Sequence, residues 1–147
     1  GTTVEQNYKA LELCREAGMD VKGLFMIGCF GENHETIKET IDFIKKVHIT
    51  DFHMNFFTPL PLTAAMRLWP KYGNFDPSKG SFMGSTPSFV PFDLTEKELI
   101  NYRKYIYRLF YFRPKIIFKY TLKLLNLRHA KKIIFSAVSF LRYVLNR

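Results

Sequence analysis

At 147 residues, 47% hydrophobic and 24% charged, the chain holds enough apolar material for one modest core and lies well outside the compositions of disordered segments. Its two cysteines, Cys14 and Cys29, provide neither a disulfide framework nor a four-thiolate metal site, and they fit a reducing compartment. The net charge of +9 is unevenly spread: residues 95–147 carry thirteen Lys or Arg against two acids, whereas residues 1–94 carry nine against eleven, so the basic excess lies wholly in the tail.

The chain begins Gly1-Thr2-Thr3 with neither a charged leader nor an apolar signal core, and a cytoplasmic location is the expectation. From Val4 onward, Tyr8, Leu11 and Cys14 recur at helical spacing, and Gly18 after Ala17 supplies a stop, which predicts an amphipathic helix. Residues 21–27 are then almost continuously apolar and end at Gly28, the pattern of a strand buried on both faces. Asn33 is placed to cap a second helix. Glu35 complements that helix's dipole, while Ile37, Ile41, Ile44 and Val47 form its inward stripe.

A second strand is expected over residues 52–57. It stops at Thr58-Pro59-Leu60-Pro61, because a proline has no N–H for the ladder. Two strands joined by a helix predict a parallel pair with a right-handed crossover, hence an α/β fold. Residues 73–94 have no clear periodicity and read as a long connecting or functional loop, with a boundary between residues 1–72 and the basic helical region 95–147. There Thr95 and Glu98 make a capping box, with Leu99, Tyr102, Ile106, Leu109 and Phe110 as a greasy face. Pro114 should restart the chain, followed by helices over roughly 115–125 and 128–145. The uncharged run 133–141 is far too short to span a bilayer, which takes about 20 residues.

Three segments carry a family resemblance. Gly23-Leu24-Phe25-Met26-Ile27-Gly28-Cys29-Phe30-Gly31-Glu32, followed by a helix, resembles the fifth strand and helix of the radical S-adenosylmethionine barrel, with Phe30 where proline is usual. Phe56-Phe57-Thr58-Pro59-Leu60-Pro61-Leu62-Thr63 resembles the sixth strand and its exit. Leu62 there replaces a frequent glycine, so the turn is expected to differ in shape. Tyr107-Arg108-Leu109-Phe110-Tyr111-Phe112-Arg113-Pro114 is similar to a segment that follows the barrel in members carrying a cobalamin-binding domain. The resemblance implies the C-terminal portion of a partial (β/α) barrel followed by an α-helical extension. It also implies S-adenosylmethionine bound to a [4Fe-4S] cluster at the C-terminal strand ends, and cobalamin as a further cofactor of the parent. The family's three-cysteine cluster loop is absent from this sequence, so the chain implies a partner, the N-terminal half of the barrel, and should be inactive alone.

In the family, the wall formed by Phe25, Met26, Ile27 and Gly28 packs on the adenine, and Phe57 would flank it. The residues alone favour an ordinary buried strand with a turn glycine; the resemblance reverses that. Strand alternation puts Phe52, Met54 and Phe56 on one face and His53, Asn55 and Phe57 on the other. On the second face His53 and Asn55 would meet a small-molecule substrate, although a histidine in a buried strand is more often simply hydrogen-bonded in place. Cys29 sits where a thiol could donate hydrogen but more commonly fills space, and Cys14 reads as core; Glu32 could tie the loop down or touch the cofactor, and an acid near a helix start more usually has a structural role as complement to the dipole. The competing class is a non-catalytic basic module that uses residues 95–147 to bind a membrane surface or RNA, with nucleic acid the less favoured partner.

Overall fold

The structure, a computed structural model, describes residues 1–79, 84–124, 135, 137–139 and 141–143. In chain order its elements are α1 (Val4–Glu16), β1 (Lys22–Ile27), α2 (His34–Lys46), β2 (Asp51–Phe56), α3 (Ala64–Leu68), β3 (Gly73–Phe75), β4 (Phe89–Pro91), α4 (Glu96–Tyr111) and α5 (Pro114–Leu124), with single 3-10 turns at Trp69–Lys71 and Pro77–Lys79. They divide into two compact units, residues 1–103 and residues 104–147, the division falling inside α4.

In the first unit β1 and β2 pair in parallel, with Leu24 opposite His53, Phe25 opposite Met54 and Met26 opposite Asn55. Helix α2 makes the crossover. It starts where expected, with the Asn33 side chain accepting from the Glu35 and Thr36 N–H groups at 2.9 and 3.0 Å. Its stripe of Ile37, Ile41 and Ile44, continued by Val47, is buried, each side chain contributing roughly 1.5–3 kcal/mol. Paired residues of a parallel ladder share a face, so Phe25, Ile27, Phe52, Met54 and Phe56 form the covered side. The Phe25 ring lies 5.3 Å from that of Phe52 and 6.2 Å from that of Phe43 on α2.

The other side of the ladder carries Leu24, Met26, His53 and Asn55. Here the expectation of a strand buried on both faces fails: Leu24 is 75% and Met26 51% exposed. Among the described residues the sheets are two-stranded and no closed barrel forms, so the observed class is mixed α/β. The Val21 and Ile27 carbonyls accept hydrogen bonds from Asp51 and Phe57, which by alternation turns the backbone groups of Leu24 and Met26 to the other edge of β1. No described strand pairs along that edge. The far edge of β2 is instead engaged at its end, where the Phe56 N–H donates to the Gly84 carbonyl at 2.9 Å.

Segment 73–94 holds a short antiparallel ladder, with Gly73 opposite Pro91 and Phe75 opposite Phe89. Three-residue strands leave no alternation to detect in a sequence. Gly73 permits the close approach, since a Cβ there would lie 2.2 Å from the Val90 carbonyl oxygen. Thr95 and Glu98 form the anticipated capping box: Thr95 donates to the Glu98 carboxylate from its N–H at 2.8 Å and its hydroxyl at 2.7 Å. Leu99 is buried and Arg103 lays its guanidinium 4.0 Å over the Phe56 ring.

The second unit comprises the end of α4, α5 and the described residues beyond. Pro114 begins α5, its missing N–H costing nothing at a first helical position. Ile106, Phe110 and Ile116 are buried, and Tyr107 lies 6.1 Å from Tyr111 and 6.2 Å from Tyr143 between ring centres. Most of the helix expected over 128–145 lies outside the described residues; of it, residues 135, 137–139 and 141–143 are helical. Among the described residues no helix is long and apolar enough to cross a membrane.

The turn after β2 shows why Leu62 stands out. Its φ is +66° and its side chain is fully exposed, so the backbone occupies the left-handed region that glycine favours, without any packing in return. Leu62→Gly is therefore expected to stabilise the chain by about 0.5–1 kcal/mol, the relieved strain less the greater unfolded-state freedom of glycine. Urea unfolding checks this, and an unchanged or lowered midpoint would show that the turn is not strained.

Candidate functional site

The candidate site lies at the C-terminal ends of β1 and β2, where open α/β sheets place their ligands. Gly28 ends β1 with φ +84°, and its N–H donates to the Glu32 carboxylate four residues on. The Glu32 N–H in turn donates to the Cys29 carbonyl at 3.1 Å. These bonds close residues 28–32 into a compact turn directly before the α2 cap. Glu32 thus has a structural role, tying the turn down through the Gly28 N–H. Burial raises its carboxyl above the usual range, and its hydrogen bonds with the Gly28 and Cys29 backbone lower it in part.

Burial, with the Glu32 charge adding, pushes the Cys29 thiol up to about 11. Cys29 is half-buried and thiol-bearing at neutral pH, the state of a space-filling or hydrogen-donating group rather than a nucleophile. Cys14 is also half-buried, on α1, and not in the core as expected, because α1 buries none of its residues fully.

Beside this turn stands an aromatic cluster. Phe30 stacks on Tyr72 at 4.9 Å and meets Phe57 and Phe89 edge-on at 4.9 and 5.2 Å, while Phe57 and Phe89 are 5.6 Å apart. Phe89 is fully buried, and its neighbour Ser88 bonds the Thr58 hydroxyl at 3.1 Å. Phe30, at the position where the resemblance leads one to expect proline, is the hub of this cluster. Tyr72, Ser88 and Phe89 escaped the sequence reading. Tyr72 and the adjacent Ser88 and Phe89 come from two separate segments with no shared period, and the β3–β4 ladder brings them together here.

The residues singled out from the sequence fall in different places. Met26 offers its side chain to the open face and its backbone groups to the open edge. Phe25 and Ile27 turn their side chains to the covered face, so a ligand on the open side would meet only their backbone. Gly28 and Phe57 lie at the mouth, with the Gly28 N–H taken by Glu32. His53 is exposed and Asn55 half-buried, side by side with Leu24 and Met26 on the open face. Metal ligands do not gather: among the described residues no three His, Cys, Asp or Glu side chains converge.

A strand-helix-strand unit with a glycine turn at its strand ends defines the class structurally, and comparisons with known proteins refine it. No family model and no solved structure matches the chain. It is 33% identical over 120 residues, 81% of its length, to the anaerobic magnesium-protoporphyrin IX monomethyl ester cyclase of Cereibacter sphaeroides, of which this covers 19%. To the cyclase of the same name from Rubrivivax gelatinosus it is 29% identical over 110 residues, covering 71% of this chain and 20% of the relative. To an uncharacterized methyltransferase from Pyrococcus horikoshii it is 27% identical over 130 residues, covering 81% and 26%. The chain therefore spans about a fifth to a quarter of the length of these relatives. The resemblance to the radical S-adenosylmethionine enzymes is shown by these relatives, at low identity and over part of their length.

Two expectations follow from the turn. In a Cys14→Ser background, Cys29 should react with iodoacetamide about tenfold faster for each pH unit from about 7 to 9, because its thiolate is scarce throughout that range. A rate that levels off below pH 9 would contradict the raised value. Glu32→Ala leaves the Gly28 N–H without its acceptor and should cost about 1–3 kcal/mol, whereas Glu32→Gln keeps an acceptor and should cost less. A carboxyl raised by folding gives stability that is present at low pH and lost as pH rises through its raised value. The native chain should consequently gain on Glu32→Gln as the pH is lowered, and urea titrations at several pH values decide it.

Proposed function

We propose that this chain is the C-terminal portion of a radical S-adenosylmethionine enzyme and forms the adenine-side wall of its cofactor site. The observation that carries the proposal is the open face and open edge of β1, ending in the Gly28 turn, in a chain whose relatives are cyclases and a methyltransferase. On this reading, upstream strands of the parent's partial (β/α) barrel pair along the free edge of β1 and cover Leu24 and Met26. Met26 then packs on the adenine, and the backbone of Phe25, Ile27 and Gly28 lines the same wall. Phe57, steadied by Phe30 and Phe89, flanks it, while His53 and Asn55 face a small-molecule substrate deeper along the strand.

Bound in the parent, S-adenosylmethionine and a [4Fe-4S] cluster would supply a radical that abstracts hydrogen. This chain's residues do not fit the cluster itself: Cys14 is on α1, Cys29 lies beyond β1, and the family's ligand spacing is missing. The cluster ligands belong to the upstream half in this proposal, and cobalamin enters with the resemblance of residues 107–114. The relatives' names divide between ring closure and methyl transfer. What the chain shares with both is taken to be the start of the radical reaction, not its outcome.

Two results test the reading. Reconstituted anaerobically with iron and sulfide, the 147-residue chain should hold no stoichiometric cluster and release no 5′-deoxyadenosine, whereas a longer protein including the upstream half should do both. A cluster on the chain alone would overturn the assignment. In the longer protein, His53→Ala and Asn55→Ala should slow product formation tenfold or more while shifting stability by less than ~0.5 kcal/mol, as for surface substitutions. Unchanged turnover in both would remove them from the substrate face.

A further inference from the structure

The boundary between the two units coincides with a break in charge. Residues 104–147 contain eleven Lys or Arg and no Asp or Glu, whereas residues 1–103 contain eleven basic residues and all thirteen acids. A 44-residue unit without a single carboxylate side chain cannot neutralise its cations internally. The same unit also exposes large apolar side chains. On α5, Ile116 is buried, while Ile117 at 48% and Phe118 at 66% exposure point outward beside the exposed Lys115. Phe112 just before α5, and Val138 and Leu141 beyond it, are likewise exposed.

From this combination we propose that residues 104–147 form an interfacial module that docks on an anionic lipid surface, with Phe118 and Ile117 entering the boundary between headgroups and acyl chains. The excess of cations in this unit supplies long-range attraction, and its exposed apolar side chains supply the second signal that stable peripheral binding requires. Each Lys or Arg near an anionic surface strengthens binding by roughly fivefold. The aliphatic members decide against nucleic acid: Ile117, Val138 and Leu141 have no π-face on which bases could stack, whereas they gain from an acyl environment. The proposal is independent of the reading of the strand mouth, since none of these residues lies there.

The test uses the whole chain and sedimentation with vesicles of phosphatidylcholine alone or mixed with phosphatidylglycerol. Recovery should require the anionic lipid and should fall steeply between about 0.1 and 0.5 M salt, where the screening length shrinks from about 10 Å to a few ångströms. Lys115→Gln with Arg142→Gln should weaken binding by roughly twenty-fivefold, while Lys38→Gln on α2 should leave it unchanged. Phe118→Ser should weaken it at every salt concentration, and in Phe118→Trp brominated acyl chains should quench fluorescence beyond any quenching of Trp69 in the native chain. Equal recovery on neutral vesicles, or full binding by Phe118→Ser, would overturn the proposal. So would retention of single-stranded RNA at 0.15 M salt that is lost in Phe118→Ser, because it would assign this face to nucleic acid.

Discussion

The packing of the α2 isoleucine stripe on one face of two parallel strands sets the geometry of the first unit. Ile37, Ile41 and Ile44 give up water only if Phe25, Ile27, Phe52, Met54 and Phe56 all point toward them, and that requirement fixes the register of β1 against β2. A one-residue slip of β2 would turn His53 and Asn55 toward the helix and bury two polar groups, and one of β1 would instead turn Phe25 and Ile27 away from it. The same constraint therefore determines which residues remain on the open face. It also brings both strand ends to one level, where Phe57 can donate to the Ile27 carbonyl and the Gly28 turn can form beside it.

Periodic features were legible in the sequence because each was repeated. The α2 stripe recurs at helical spacing over a dozen residues, its Asn33 cap has a fixed offset, and the Thr95–Glu98 box is a local motif; all three appear as read. Alternation in residues 52–57 likewise separates the covered Phe52, Met54 and Phe56 from the exposed His53 and half-buried Asn55. Features built from single residues of distant segments were not legible. The aromatic cluster joins positions 30, 57, 72 and 89, no two of which are closer than 15 residues in the sequence. The apolar run at residues 21–27 was misleading in another way. Hydrophobicity on both faces marks a strand suited to burial, and this structure leaves one of those faces uncovered.

Leu62 and Phe30, the two departures from the family pattern, have opposite physical consequences. At Leu62 the backbone keeps a left-handed conformation despite the side chain, so the substitution is carried as local strain on an exposed turn. At Phe30 the larger ring is absorbed: Tyr72 stacks on it, Phe57 and Phe89 meet its edges, and the turn beside it is tied independently through Glu32. The first change removes no contact and adds none. The second rebuilds the rim of the mouth, which makes the shape of that rim a property of this chain rather than something to be carried over from relatives.

Charge and packing also assign different tasks to the two units. In residues 1–103 acids slightly outnumber basic residues, and the ion pairs join exposed neighbours such as Lys22 with Asp51 and Lys45 with Asp42, arrangements worth little individually. In residues 104–147 no such pairing with side-chain carboxylates is available within the unit, and aromatic rings take part of that role, with Arg113 over Phe110 and Lys104 over Tyr143. Ring contacts offset some desolvation but leave the net charge in place. The net charge of this unit and its exposed Phe118 are the two surface properties on which the proposed docking to an anionic boundary rests. At the strand mouth Glu32 is tied to the Gly28 N–H and Phe30 packs on Phe57, while among the described residues no strand pairs along the outer edge of β1, whose Leu24 and Met26 stay exposed.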